Sequence, residues 1–283
     1  MTQPGSRPRF ASALREGVRL RDVLLLSFVP VLLVAIYRLP ETRRRSLAFS
    51  YLDPTALTAW TAHFVHLDPG HLIANLLGYV VLATVGYLLA TLAGRRGLFA
   101  VMLTTYLLVF PPVLSLLNLA VPRPAITYGF SGVNMALAGV LPLVLVEFVG
   151  ARLFPLVRPR DAPGLFFLVM TLIALVAIPT TTTTLAIAVG AGLAALLYGT
   201  SFLRSAWSAR RGEDRGTHRI GGPLGGWLEL GAVGLLVAIG YPLIGFPADP
   251  AGGGRVVNLY VHLLGYSLAF IGPYVGLEIG VLE

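Results

Sequence analysis

Eight nearly unbroken apolar stretches, each close to the roughly 20 residues a helix needs to cross a bilayer, run through this chain of 283 residues. They cover residues 22–38, 70–93, 98–120, 131–150, 164–180, 184–203, 227–246 and 257–279. In lipid no water is available to satisfy backbone N–H and C=O groups, so each segment must bond within itself as a helix. Charged residues make up only 12% of the chain, about half of what a soluble domain carries. The expected fold is an all-α polytopic membrane bundle of about eight transmembrane helices. Residues 1–21 form a basic N-terminal segment and residues 22–283 the transmembrane domain. The first and fifth stretches are short, and only a threonine run, Thr180 to Thr184, divides the fifth from the sixth. Counts of six or seven spans therefore stay open. No small-residue cleavage site follows the first apolar run, which is read as a retained span rather than a signal peptide.

Charge gives an orientation. All 21 basic residues are Arg, against 13 acidic ones, for a net charge of +8. Fifteen of the Arg residues fall in segments 1–21, 94–97, 151–163 and 204–226, and six (Arg38, Arg43, Arg44, Arg45, Arg123, Arg255) fall in the alternate segments. The positive-inside bias then puts both termini in the cytoplasm of a multi-pass protein, read as one of a prokaryotic plasma membrane. The same bias accounts for a pI near 10.2 without a nucleic-acid partner. The basic loop 204–226, with His218, reads as solvated. Segment 39–69 carries Leu47, Phe49, Tyr51, Leu52 and Trp60 and reads as a partly buried interfacial element. With no Cys in the chain, disulfides, thiol chemistry and Cys metal sites are excluded. No Arg, Asp or Glu lies near the middle of a span, which counts against an ion-coupled transporter.

Three polar elements within the apolar background need a reason. In TAHFVHLDPGHLIANLLGY (61–79), Asp68-Pro69 reads as an N-cap and first helical residue. His71 and Asn75, four apart, then share one helix face, with His66 just ahead of them. Two donors on one face can converge on one oxygen. Interfacial histidines bonded to loop carbonyls, or a metal site, are the alternatives. In ITYGFSGVNMALAG (126–139), Gly129 and Gly132 flank Phe130-Ser131 in a G-x-S-G element, which leaves the hydroxyl accessible. Gly132, Ala136 and Gly139 also form a small-residue face, so helix packing alone could explain it. In NLYVHLLGYSLAFIGPYVG (258–276), His262 precedes Gly265, Ala269, Gly272 and Gly276, a second small face; a lone structural histidine is the alternative. Alternating the spans puts Ser131, His71, Asn75 and His262 at one depth. A nucleophile, a base and two oxyanion donors at one depth are the equipment for acyl transfer.

These residues resemble those of the rhomboid intramembrane serine proteases. His66, His71 and Asn75 are similar to the family's His-x4-His-x3-Asn opening the second span. Gly129, Ser131 and Gly132 are similar to its G-x-S-G at the fourth, and His262 with Gly265 to its last catalytic span. The likeness covers roughly 56–150 and 257–276. It implies a Ser131–His262 dyad with no cofactor and no metal. It also implies an oxyanion hole of His71, Asn75 and the Ser131 N–H, support from His66, and a close helix approach at Gly265. The implied substrates are single-span membrane proteins, cut near the outer face, with membrane lipids as surroundings. An inactive rhomboid-like protein that binds client transmembrane helices is the alternative, and an unrelated transporter or structural membrane protein a third. The chain departs from the family pattern in three respects. Two extra apolar segments separate the Ser and His spans, and 184–203, which lacks a His, has the look of the usual His span. Met135 stands where an aromatic often stacks on the histidine, with Tyr266 as a nearby ring. The family's Trp-Arg pair is not evident in 39–69.

Overall fold

The computed structural model describes residues 9–176, 181–210, 224–249 and 256–282. His218, Arg255, Thr180, residues 1–8 and residues 211–223 of the basic loop lie outside the described residues. The helices are α1 (Phe10–Gly17), α2 (Leu20–Tyr37), α3 (Glu41–Ser46), α4 (Ala56–Thr61), α5 (Pro69–Leu92), α6 (Arg96–Leu108), α7 (Phe110–Asn118), α8 (Ser131–Arg152), α9 (Ala162–Val176), α10 (Thr182–Arg210), α11 (Trp227–Gly245) and α12 (Leu259–Glu278). Two short strands, β1 (Phe49–Ser50) and β2 (Ile126–Thr127), pair antiparallel with Phe49 opposite Thr127. Among the described residues seven helices are long and apolar enough to cross a membrane, eight if a bent pair counts as one span. This is an all-α polytopic bundle with the make-up of a multi-pass membrane protein.

The bent pair occupies the span expected over 98–120. Helices α6 and α7 meet at an angle of 46°. Pro111 and Pro112 follow Val109-Phe110; neither has an N–H to bond back into α6, and the ring of a proline crowds the preceding turn. The bend turns α7 so that Ser115 and Asn118, three residues apart, are both buried.

Helix α8 is the centre of the bundle. Of its most apolar stretch 89% is buried, against 6% for α10, and α5, α11 and α12 all pack along it. Its apolar residues run all round the axis, as a fully surrounded helix requires. The closest approach is to α12, backbone on backbone. A Cβ added at Gly139 would overlap the carbonyl oxygen of Tyr266, and one at Gly265 the carbonyl oxygen of Gly132. In lipid, helices gain little from expelling water, so such contacts carry much of the association. Helix α10, by contrast, packs almost wholly on α9. The position beside the Ser131 helix is therefore filled by α12, not by segment 184–203. The small-residue stripe of α12 is shorter than the sequence suggests: Gly272 faces open space and Gly276 lies against Leu282.

The end of the bundle far from Ser131 is tied by charge and rings. The Arg95 guanidinium donates twice to Glu147 Oε1, at 3.1 Å each, and Arg152 Nε donates to the Leu92 carbonyl at 2.6 Å. The Arg152 guanidinium also lies 5.1 Å over the Trp227 ring, whose edge-on partner at 5.2 Å is Phe10 of α1. Part of the basic N-terminal segment is thus a docked helix.

The glycine contacts make a paired test. Gly139→Ala is expected to destabilise the protein by about 1–3 kcal/mol, because a methyl group must displace backbone. Gly272→Ala, in open space, is expected to be neutral or stabilising by up to about 1 kcal/mol. Thermal unfolding in detergent micelles checks this, and equal effects would contradict the contact.

Candidate functional site

The turn that delivers Ser131 is held from several sides. Pairing of β1 with β2 fixes residues 126–127 against the 39–69 segment, and the Gly129 N–H donates to the Ala62 carbonyl at 3.0 Å. Gly129 has a φ of +113°, a backbone region that side chains disfavour. A Cβ there would also lie 2.5 Å from Cε1 of the His71 ring, so Gly129 is required for two independent reasons. The Phe130 N–H then donates to His66 Nε2 at 3.4 Å. Ser131 follows as the first residue of α8, half-buried. Among the described residues neither its hydroxyl nor its backbone N–H has a hydrogen-bond partner. The N–H is one of the donors every helix start leaves over, at the positive end of the helix dipole.

Helix α5 brings the second group. Asp68 caps it, its carboxylate accepting from the His71 N–H at 2.9 Å with Pro69 as first helical residue, as the Asp-Pro pair predicts. The His71 ring stands edge-on to His66 at 5.0 Å and lies 5.9 Å from Tyr128. Asn75 is buried. Its Nδ2 donates to the His71 carbonyl at 3.0 Å, and its Oδ1 accepts from Asn134 Nδ2 at 3.3 Å. Asn134, fully buried in α8, also donates to the Asn75 carbonyl at 2.9 Å. Asn134 holds the amide of Asn75 one way round, and the sequence reading passed over it. The signal was present: an uncharged polar residue three positions after Ser131, inside a span, needs a partner.

Helix α12 brings His262, buried and one turn ahead of Gly265. Val261 lies against Gly132, so His262 enters at the same end as Ser131. His262 Nδ1 lies 2.6 Å from the Gly245 carbonyl at the end of α11. A carbonyl can only accept, so Nδ1 carries the proton and Nε2 has the lone pair. No hydrogen bond joins His262 to Ser131 among the described residues. The ring against His262 is Phe246, edge-on with centroids 6.0 Å apart. Met135 lies against Gly245, the residue whose carbonyl His262 faces, and Tyr266 stacks on Phe166 at 5.3 Å. The aromatic ring beside His262 is thus that of Phe246, in edge contact.

Two more histidines frame the site. His63 Nε2 lies 3.1 Å from Ser115 Oγ. That hydroxyl donates to the Ala59 carbonyl, so His63 is the donor to it. Burial pushes the His63 imidazole down to about 4. Burial, and then the neighbouring His71, push His66 down to about 3. Both are neutral in the folded protein. The backbone of His66 is gripped by Arg44, whose Nη1 donates to its carbonyl at 2.6 Å while the guanidinium lies 4.5 Å over Tyr37. Arg44 anchors the 39–69 segment without an adjacent Trp. Among the described residues no three His, Asp or Glu side chains gather to hold a metal ion.

No protein-family model, curated protein or solved structure matches this chain. Its functional reading rests on these residues and their geometry.

The buried histidines give a pH dependence. Below about 6.5 the unfolded chain takes up protons that folded His63 and His66 refuse. Stability is complete above that pH and falls toward pH 4, by about 1.4 kcal/mol per pH unit for each group. His63→Gln, which keeps a donor for Ser115, is expected to flatten the acid limb of a plot of unfolding temperature against pH between 6.5 and 4. An unaltered slope would contradict the assignment.

Proposed function

We propose that this protein is an intramembrane serine endopeptidase of the rhomboid type, cutting transmembrane segments of single-span membrane proteins near the outer face of a prokaryotic plasma membrane, with both termini in the cytoplasm. The observation that carries the reading is the bond from His262 Nδ1–H to the Gly245 carbonyl, on a helix packed against the first turn of the Ser131 helix. In the neutral ring it leaves the lone pair on Nε2, which is the tautomer a general base needs, and a carbonyl does here what a carboxylate does in a triad.

In this mechanism Ser131 Oγ attacks the scissile carbonyl as its proton passes to His262 Nε2. The tetrahedral oxyanion takes hydrogen bonds from the unpartnered Ser131 N–H, the His71 ring and the second Nδ2 hydrogen of Asn75, the first being engaged by the His71 carbonyl. The imidazolium returns its proton to the leaving amine, and water hydrolyses the acyl-enzyme by the same steps. The resting Ser131 hydroxyl is not bonded to His262; such bonds often tighten only with substrate present. That missing bond is also what favours the second reading, a rhomboid-like protein that binds client helices without cutting them.

A fluorophosphonate probe separates the two. The protease reading predicts labelling at Ser131, lost in Ser131→Ala and slowed by about 10²–10⁴-fold in His262→Ala. Labelling that survives His262→Ala unchanged removes the dyad. A folded protein that neither labels nor cleaves a generic transmembrane substrate supports client binding.

A further inference from the structure

Asn258 stands four residues before His262 and caps α12, its Oδ1 accepting from the Val261 N–H at 3.3 Å. Any short polar side chain could do that much. Asn258 does three further things. The same Oδ1 accepts from Arg123 Nη2 at 3.2 Å. Its Nδ2 donates to Asn118 Oδ1 at 3.1 Å and to the Tyr51 hydroxyl oxygen at 3.3 Å. An amide has two acceptor and two donor positions, and here all four are used. Its partners come from separate parts of the chain. Tyr51 follows β1, buried Asn118 ends α7 and donates to the same Tyr51 hydroxyl, and Arg123, over the Tyr51 ring at 5.2 Å, lies in the segment leading to β2. A side chain bonded to four different groups couples the helix turn it begins to each of them.

We infer that Asn258 is a positioning residue for His262. It fixes the first turn of α12 to the far half of the bent span and to the segment that delivers Ser131. Its catalytic consequence rests on the dyad reading above. The reach of imidazole to hydroxyl is then set by this junction at the top of α12 and by the Gly132–Gly265 contact one turn below. A displacement near 1 Å at reacting groups costs on the order of 100-fold in rate, so loosening the junction lowers kcat and leaves KM for the substrate helix unchanged.

Asn258→Ser keeps a good cap and removes the other bonds; Asn118→Ala breaks the junction while leaving the cap intact. The full-length chain in detergent is tested for cleavage of a transmembrane substrate. In parallel, spin labels on Leu117→Cys and Leu263→Cys, introduced without background because the chain has no Cys, report the distance from α7 to α12. Each variant is expected to unfold within a few degrees of the wild type, to lose roughly 10- to 100-fold in kcat at constant KM, and to broaden the distance distribution. The double variant is expected to lose no more than either single one, as for two parts of one junction. If Asn258→Ser does not fold, Asn118→Ala alone carries the comparison. A wild-type distance distribution in a variant that folds overturns the inference, whether or not kcat changes, as does a loss shared equally by kcat and KM. A wild-type protein with no activity defeats the protease reading; the inferred fixing of α12 then stands or falls on the distance measurement alone.

Discussion

The contact between the backbones of α8 and α12 is the constraint on which the rest of the site depends. Gly139 and Gly265 each meet a carbonyl of the other helix, and Gly132 meets Val261. Side chains at these positions would part the helices. Lipid tails are as apolar as the residues they touch, so two spans have no hydrophobic reason to choose one another. Close backbone approach supplies that choice, and it decides which of two small-residue helices stands beside Ser131. Helix α10 also carries glycines, yet Gly190 and Gly199 face open space. Helix α12 has Gly265 at the level of Gly132, and a histidine one turn above.

Around this contact the buried polar side chains are held by neutral partners rather than by charges. Buried unpaired charge is costly in lipid. The Gly245 carbonyl orients His262, Asn134 orients Asn75, and His63 and His66 stay uncharged while tying the preceding segment to Ser115 and to the Phe130 N–H. Full charges are kept to the margins: Arg44 and Arg123 at the Ser131 end, and Arg95, Glu147 and Arg152 at the other. The positions of Ser131, Asn75 and His262 are thus set by packing and by neutral hydrogen bonds.

Much of this could be read from the sequence, for identifiable reasons. Twenty-residue apolar runs mark spans because lipid leaves the backbone no alternative. Asp68-Pro69 marks the start of α5, because an aspartate suits an N-cap and a proline the first helical position. What escaped the sequence was relational. The prolines 111–112 sit in so apolar a run that hydropathy passes straight over the bend they cause. Small residues on both α10 and α12 could not say which helix packs on α8, and half of the stripe on α12 faces away. Asn118 and Asn258 are unremarked as single letters, and their roles appear only once three distant segments are seen to share one amide. Phe246 follows the carbonyl that orients His262, but nothing local in its sequence points to a histidine sixteen residues on.

The central claim is that Ser131 and His262 act on one substrate carbonyl. The most direct test uses a mechanism-based isocoumarin, which first acylates a serine and then alkylates a nucleophile within reach of the trapped group. With the full-length protein in detergent, peptide mass spectrometry is expected to find one adduct bridging Ser131 and His262. An adduct bridging Ser131 to His63, His66 or His71, or no acylation of Ser131 in the folded protein, would contradict the account.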